Sequence, residues 1–81
     1  MCTKTLFIRN ILKDMLKLYP NDRMLISLIE KSAYTAPEIA NQLWRNIFNY
    51  VSVTYNTDKA MHKLYHDGYK KYLDKFSLLW F

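Results

Sequence analysis

The chain has 81 residues and a net charge of +5, and 51% of its residues are hydrophobic and 16% aromatic. That content is too apolar for a disordered tail, and the length fits a single domain over residues 1–81. One Gly and two Pro are too few for the many tight turns of a β-sandwich or barrel. The composition therefore predicts an all-α fold, a compact bundle of four or five helices.

The first two predicted helices are joined by a turn at Pro20. Apolar residues recur at three- and four-residue steps over residues 5–19, which is the periodicity of an amphipathic helix. Pro20 disfavours helical angles in the residue before it, and Asn21 or Asp22 can accept the first free N–H groups of the next helix. That second helix is predicted to be short and to end near residues 31–32.

Residues 35–38, Thr-Ala-Pro-Glu, have the pattern of a capping box at the start of a third helix. In that motif the Thr35 hydroxyl accepts a hydrogen bond from a first-turn amide, while Glu38 reaches back to the cap. The sequence therefore predicts a long central helix that starts at Thr35 and continues to about Thr54. The β-branched run within residues 51–56 leaves open whether the end of this segment is helical or extended.

A last helix is predicted to follow the candidate caps at residues 56–58. Its apolar stripe includes Tyr65, Tyr69 and Tyr72 at helical spacing. Gly68 interrupts the stripe, and a glycine within a helix costs about 1 kcal/mol relative to alanine. It indicates either a close contact with another helix or a break between two shorter helices.

The stretch over residues 34–43 carries half of a helix-turn-helix pattern. Ile39, Ala40 and Leu43 occupy the positions at which the supporting helix needs packing residues and one small residue where the helices cross. The second half is missing, because Trp44 stands where the turn needs a glycine. The simple two-helix DNA-binding unit is therefore not completed.

A looser DNA-binding arrangement is the alternative function, that of a basic transcriptional regulator. The net charge of +5 permits an anionic partner. In this hypothesis the last helix reads the DNA, and the candidate nucleic-acid-binding residues are Arg45, Lys59, Lys63, Lys70 and Lys71.

Patterns that carry chemistry are few. Asp58, His62 and His66 share one helix face by their spacing, but no further metal ligand of the usual kind is evident, so a solvated polar face is preferred. The tyrosine stripe could stack single-stranded bases, although core packing is the more usual role. We expect no metal, no cofactor, no small-molecule substrate and no enzymatic activity.

The strongly apolar residues 76–81 provide the preferred functional hypothesis. Five of these six residues are apolar, so leaving them in water would create an aggregation-prone patch. They are expected to dock either on the domain's own core or in a partner, with Phe76, Leu79, Trp80 and Phe81 as partner-binding residues. The sequence thus predicts a small non-enzymatic regulatory or adaptor protein that binds a protein partner or forms a homodimer.

The expected location is the cytoplasm. Cys2 is the single cysteine and cannot form an internal disulfide, which is typical of a reducing compartment. No segment approaches the roughly 20 apolar residues that a membrane-spanning helix needs, so no membrane partner is expected.

Overall fold

Four α-helices make up the part of the chain that the computed structural model describes, residues 3–76. They are α1 (Thr3–Leu18), α2 (Arg23–Ser32), α3 (Ala40–Thr54) and α4 (Lys59–Phe76), with a 3₁₀ turn at Pro37–Ile39 before α3. The predicted all-α fold is confirmed for these residues. Phe7, near the start of α1, contacts Phe76 at the end of α4. At the other end of the bundle Tyr19, just after α1, contacts Asp58, just before α4, so the two helices are antiparallel.

Helix α1 lies at the centre of the packing, because it contacts all three other helices, whereas α3 packs mainly on α4. The predicted long central helix is therefore not what the structure shows. Helix α3 has 15 residues, against 16 in α1 and 18 in α4. One core joins the four helices, and its buried apolar residues are Ile8, Leu12, Met15, Leu25, Leu28, Ala40, Leu43, Trp44, Ile47, Val51, Met61, Tyr65 and Tyr72.

The capping box predicted at residues 35–38 does not form, and α3 begins at Ala40 rather than at Thr35. The Thr35 hydroxyl instead donates a hydrogen bond to the Lys31 carbonyl at 2.8 Å. A threonine hydroxyl can donate or accept, and here it donates to the Lys31 carbonyl at the end of α2, which also accepts a hydrogen bond from the Tyr34 amide. Ile39 then occupies the N-cap position of α3 and makes no side-chain cap hydrogen bond.

The helix starts predicted from aspartates agree with the structure. Asp22 caps α2 by accepting a hydrogen bond from the Leu25 amide at 3.1 Å. Asp58 does the same for α4 and accepts from the Met61 amide at 3.0 Å. The stretch over residues 51–56, which its composition left open, is helical up to Thr54 and continues as a turn, so it is not extended.

Gly68 lies inside α4 without breaking it, so this segment is one helix rather than two. A Cβ atom added to Gly68 would lie 2.8 Å from Cδ1 and 2.9 Å from Cγ1 of Ile11. Carbon atoms in favourable contact are about 3.5–4.0 Å apart. Glycine is therefore what allows α4 to approach α1 this closely.

Replacing Gly68 with alanine should lower the free energy of unfolding by about 1 kcal/mol, as measured by urea denaturation. The added methyl group overlaps the Ile11 side chain, and this overpacking outweighs the gain in helix propensity. In an Ile11→Ala background the overlap is gone, so the same substitution should stabilise the protein by up to about 1 kcal/mol. Equal effects in the two backgrounds would contradict the close approach of the helices.

Candidate functional site

An open groove between α3 and α4 is the candidate functional site, and we call it the α3–α4 groove. Its volume of about 470 Å³ lies within the range typical of ligand sites. Phe48 of α3 lines the groove and is exposed, so α4 does not cover the whole apolar face of α3. The lining residues are Asn41, Trp44, Arg45, Phe48 and Asn49 of α3 and Tyr65, His66 and Tyr69 of α4.

The floor of the α3–α4 groove is a packed aromatic cluster. Trp44 is only 1% exposed, and its ring meets Tyr65 and Tyr69 edge-on, with centroids 5.6 and 5.4 Å apart. The Tyr65 and Tyr69 rings stack on each other at 5.8 Å. Such geometries stabilise aromatic pairs beyond the burial of their area, so the floor of the groove is formed without a partner.

Phe48 is the apolar side chain that the α3–α4 groove leaves open to solvent. Its ring packs against Tyr65 at 5.5 Å, yet 45% of the residue remains exposed. Half-exposed aromatic side chains beside a preformed pocket are typical anchor points for a binding partner. Phe48 was not among the residues singled out from the sequence, although it widens the apolar face of α3.

The polar residues of the α3–α4 groove give it a positive charge. Arg45 is exposed beside two amides, Asn41 and Asn49, and none of the described residues that line the groove is acidic. His66 packs edge-on against Tyr65 at 5.3 Å on the opposite side. The groove therefore offers hydrogen-bond donors and one permanent positive charge around an aromatic floor.

The Tyr65 hydroxyl and the Trp44 indole N–H on the groove floor can donate hydrogen bonds. Burial, and to a smaller extent the neighbouring Tyr69, raises the pKa of Tyr65 to about 12, so its hydroxyl stays neutral at physiological pH. The Nε1–H of Trp44 has no acceptor within residues 3–76. Neither group supplies a base or a nucleophile, and both are donors.

The five basic residues predicted to meet nucleic acid do not converge on one surface. Lys59, Lys63 and Lys70 are exposed and follow one another at helical spacing along α4. Lys63 lines a crevice between α4 and α1, whereas Arg45 lines the α3–α4 groove on the opposite flank of α4. Lys71 directly follows Lys70 in the chain and is also exposed, but it lies on a neighbouring face of α4.

Phe76 is the only predicted partner-binding residue within the described part of the chain, since Leu79, Trp80 and Phe81 lie outside it. The Phe76 side chain is half-buried. Its ring contacts Phe7 at 5.9 Å and Tyr72 at 4.9 Å. Phe76 thus packs on the domain's own core.

The half-matched DNA-binding pattern and the histidine face have structural explanations. Ala40 and Leu43 are buried, but Ile39 is 49% exposed and does not pack as a supporting helix requires. The rings of His62 and His66 stack at 6.2 Å. Asp58 is engaged by Tyr19 and the Met61 amide. Residues 3–76 contain no group of three side chains placed to hold a metal ion.

A second cluster, which sequence patterns did not indicate, joins the two turns at one end of the bundle. We call it the tyrosine–aspartate cluster: Tyr19, Asp22, Tyr50, Tyr55 and Asp58. The Tyr50 hydroxyl donates to the Asp22 carboxylate at 2.5 Å, and the Tyr55 hydroxyl donates to the same oxygen. Tyr19 donates to Asp58. The aspartates were predictable as helix caps, but their tyrosine partners lie 28 to 39 residues away in the chain.

The electrostatics of this cluster favour charged carboxylates and neutral hydroxyls. Burial alone would raise the pKa of Asp22, but hydrogen bonds from Tyr50, Tyr55 and the backbone outweigh it and leave the pKa below its ordinary value. Burial and the hydrogen bond to Asp22 raise the pKa of Tyr55 to about 12. The hydrogen bond from Tyr19 is the main cause that lowers the pKa of Asp58. The cluster is therefore a structural connection, with no group poised to exchange protons at neutral pH.

No helix within the described range combines the length and the apolar character needed to cross a membrane. Comparison of the chain with protein-family models, curated proteins and solved structures found no match.

Proposed function

We propose that this protein is a small non-enzymatic regulatory or adaptor protein that binds another protein through the α3–α4 groove. The observation that carries the proposal is the composition of the groove: four aromatic residues and one arginine, without a lysine, aspartate or glutamate among the described lining residues. The centres of protein interfaces are enriched in aromatic residues and arginine, and they are depleted of lysine, aspartate and glutamate. The groove therefore has the composition of an interface.

The solvent-facing side of α3 supports the same proposal. Residues 39–56 contain one charged residue, Arg45, whereas α4 exposes lysines and aspartates along its outer face. Burying charged groups costs more free energy than burying amides that find new hydrogen bonds. The α3 side should consequently cost less free energy to cover with a partner than the outer face of α4.

Other parts of the proposal rest on the sequence. The apolar residues Leu79, Trp80 and Phe81 are a second contact region, and a second copy of the chain is one possible partner. The lone Cys2 and the absence of catalytic motifs are in keeping with a cytoplasmic binding protein.

A photo-crosslinking experiment tests this proposal. A photoreactive amino acid is placed at Phe48 in the groove, and in a matched variant at Val53, which lies on the same helix, does not line the groove and is 80% exposed. Irradiation of producing cells should give a discrete protein adduct from position 48 and only weak, diffuse labelling from position 53. The mass of the adduct separates a second copy from a different protein.

Equal labelling at the two positions would contradict the proposal, because Val53 is the more exposed residue and would report random encounters. The absence of any adduct at position 48 would also contradict it. Circular dichroism of both variants establishes that the helical fold is kept.

The second candidate function, DNA binding, is supported by the row of Lys59, Lys63 and Lys70 on α4. A mobility-shift assay with duplex DNA at about 50 mM salt tests it, because phosphate contacts are strong at low ionic strength. Binding that is lost when the three lysines are changed to glutamate would favour this function. No binding at that salt concentration would remove it.

A further inference from the structure

We infer that the α3–α4 groove accepts an amphipathic helix with an acidic flank, supplied by a different protein. This inference rests on the proposed protein-binding function and names the chemical class of the partner. Two observations carry it: the length of the groove along α3 and the sign of the charge beside its aromatic floor.

The length of the groove matches two turns of a helix. Its α3 side extends from Asn41 to Asn49, a rise of about 12 Å at 1.5 Å per residue. A bound helix of this length presents side chains at positions i, i+3 or i+4, and i+7 on one face. The exposed ring of Phe48 and the edges of Tyr65 and Tyr69 are the apolar surface that such side chains would contact.

The charge beside the floor selects an acidic partner. Arg45 is the permanent charge on the α3 side, and none of the described residues that line the groove is acidic. A carboxylate on the partner can pair with the Arg45 guanidinium through two parallel hydrogen bonds. Because this pair lies at the rim, it contributes mainly orientation and association rate, while the apolar contacts contribute the affinity.

A second copy of this chain fits the groove less well than an acidic protein does. Each copy has twelve lysine and arginine residues against seven aspartate and glutamate residues, so two copies repel each other at long range. Asp22 and Asp58 already accept hydrogen bonds from tyrosines of their own chain. The same excess of positive charge attracts an acidic partner.

A selection from a displayed library of helical peptides, each about 14 residues or roughly four turns long, tests the inference. The full chain is the target, and Phe48→Asp is the counter-target, so that only groove-dependent binders are kept. Phe48 is half exposed, so this variant should retain the fold, and circular dichroism checks that it does. The enriched peptides should carry apolar residues at helical spacing and a net negative charge.

Charge reversal at one position then tests the pairing with Arg45. Arg45→Glu should weaken binding of a selected acidic peptide by about tenfold. A matched variant, Arg23→Glu, makes the same change in net charge at an exposed residue of α2 outside the groove, and it should weaken binding clearly less. Replacing the acidic residues of the peptide with lysine should restore binding to the Arg45→Glu variant.

The outcomes separate this inference from the proposed function. Groove-dependent peptides that are neutral or basic would overturn the acidic partner and leave protein binding in place. Equal losses in the Arg45 and Arg23 variants would overturn the pairing with Arg45. If no groove-dependent peptide is enriched, both the inference and the proposed function fail. Sedimentation that shows a dimer lost in Phe48→Asp would replace the acidic partner with a second copy, and competition by single-stranded DNA would replace it with a nucleic acid.

Discussion

Replacing Trp44 with alanine should lower the free energy of unfolding by about 4 kcal/mol, the largest effect expected for one substitution in this protein. The side chain is 1% exposed, and its ring contacts Tyr65, Tyr69 and Tyr72, so its removal leaves a cavity at the junction of α3 and α4. Domains of this size are stable by roughly 4–12 kcal/mol, so this single loss removes between about a third and all of the stability. Urea denaturation followed by circular dichroism measures the loss.

Trp44→Phe is the matched control for this prediction. It keeps an aromatic ring and removes the Nε1–H group, which has no acceptor within the described residues. The loss should therefore be smaller, about 1–2 kcal/mol, from the volume that is not refilled. A loss as large as that of Trp44→Ala would contradict the assignment of the effect to ring packing.

Replacing Asp22 with alanine should lower the free energy of unfolding by about 3 kcal/mol. The substitution removes the cap of α2 and leaves the Tyr50 and Tyr55 hydroxyls without their acceptor. Because Asp22 is only partly buried, water replaces some of these hydrogen bonds, and the losses do not simply add. Urea denaturation at neutral pH again provides the measurement.

The double variant Tyr50→Phe with Tyr55→Phe separates the two roles of Asp22. It removes the hydroxyl donors and keeps the cap, so it should cost about 1 kcal/mol less than Asp22→Ala. An effect as large as that of Asp22→Ala would show that the cap contributes nothing.

The contribution of the Asp22 carboxylate to the free energy of unfolding should decrease in acid. The pKa of Asp22 is lowered in the folded protein from its ordinary value of 3.8, so the carboxylate stabilises the fold above that value. The stabilisation is lost as the pH falls from about 4 through the lowered pKa. The difference in unfolding free energy between the wild type and Asp22→Asn should therefore shrink in acid. A difference that stays constant down to about pH 2 would contradict this account.

The helices were predictable because their determinants are local. The periodicity of apolar residues located all four helices. Asp22 and Asp58 indicated where α2 and α4 begin, because each accepts a hydrogen bond from the amide three residues later. Thr35 misled the prediction because its hydroxyl can serve either of two neighbouring helix ends, and the choice depends on how the connection folds. Gly68 presented a similar choice, and only its contact with Ile11 decides between a helix break and a close approach.

The candidate site was less predictable, because it depends on contacts between distant segments. The sequence singled out Arg45 as a basic residue and the tyrosines as a stripe, but not their meeting around Phe48. How far the apolar face of α3 extends beyond α4 is set by helix packing, which periodicity does not give. The hydrogen bonds from the Tyr50 and Tyr55 hydroxyls to Asp22 were not predictable either, because they also depend on how distant segments pack.

The tyrosine–aspartate cluster also determines how the bundle can open. It fastens the turn between α1 and α2 to the turn between α3 and α4, so these two turns should separate only when the hydrogen bonds of the cluster break. The α3–α4 groove runs along α3 from Asn41 to Asn49, and Asn49 is the end nearer to the cluster. The hydrogen bonds of the cluster should therefore limit movement of α3 most at the Asn49 end of the groove.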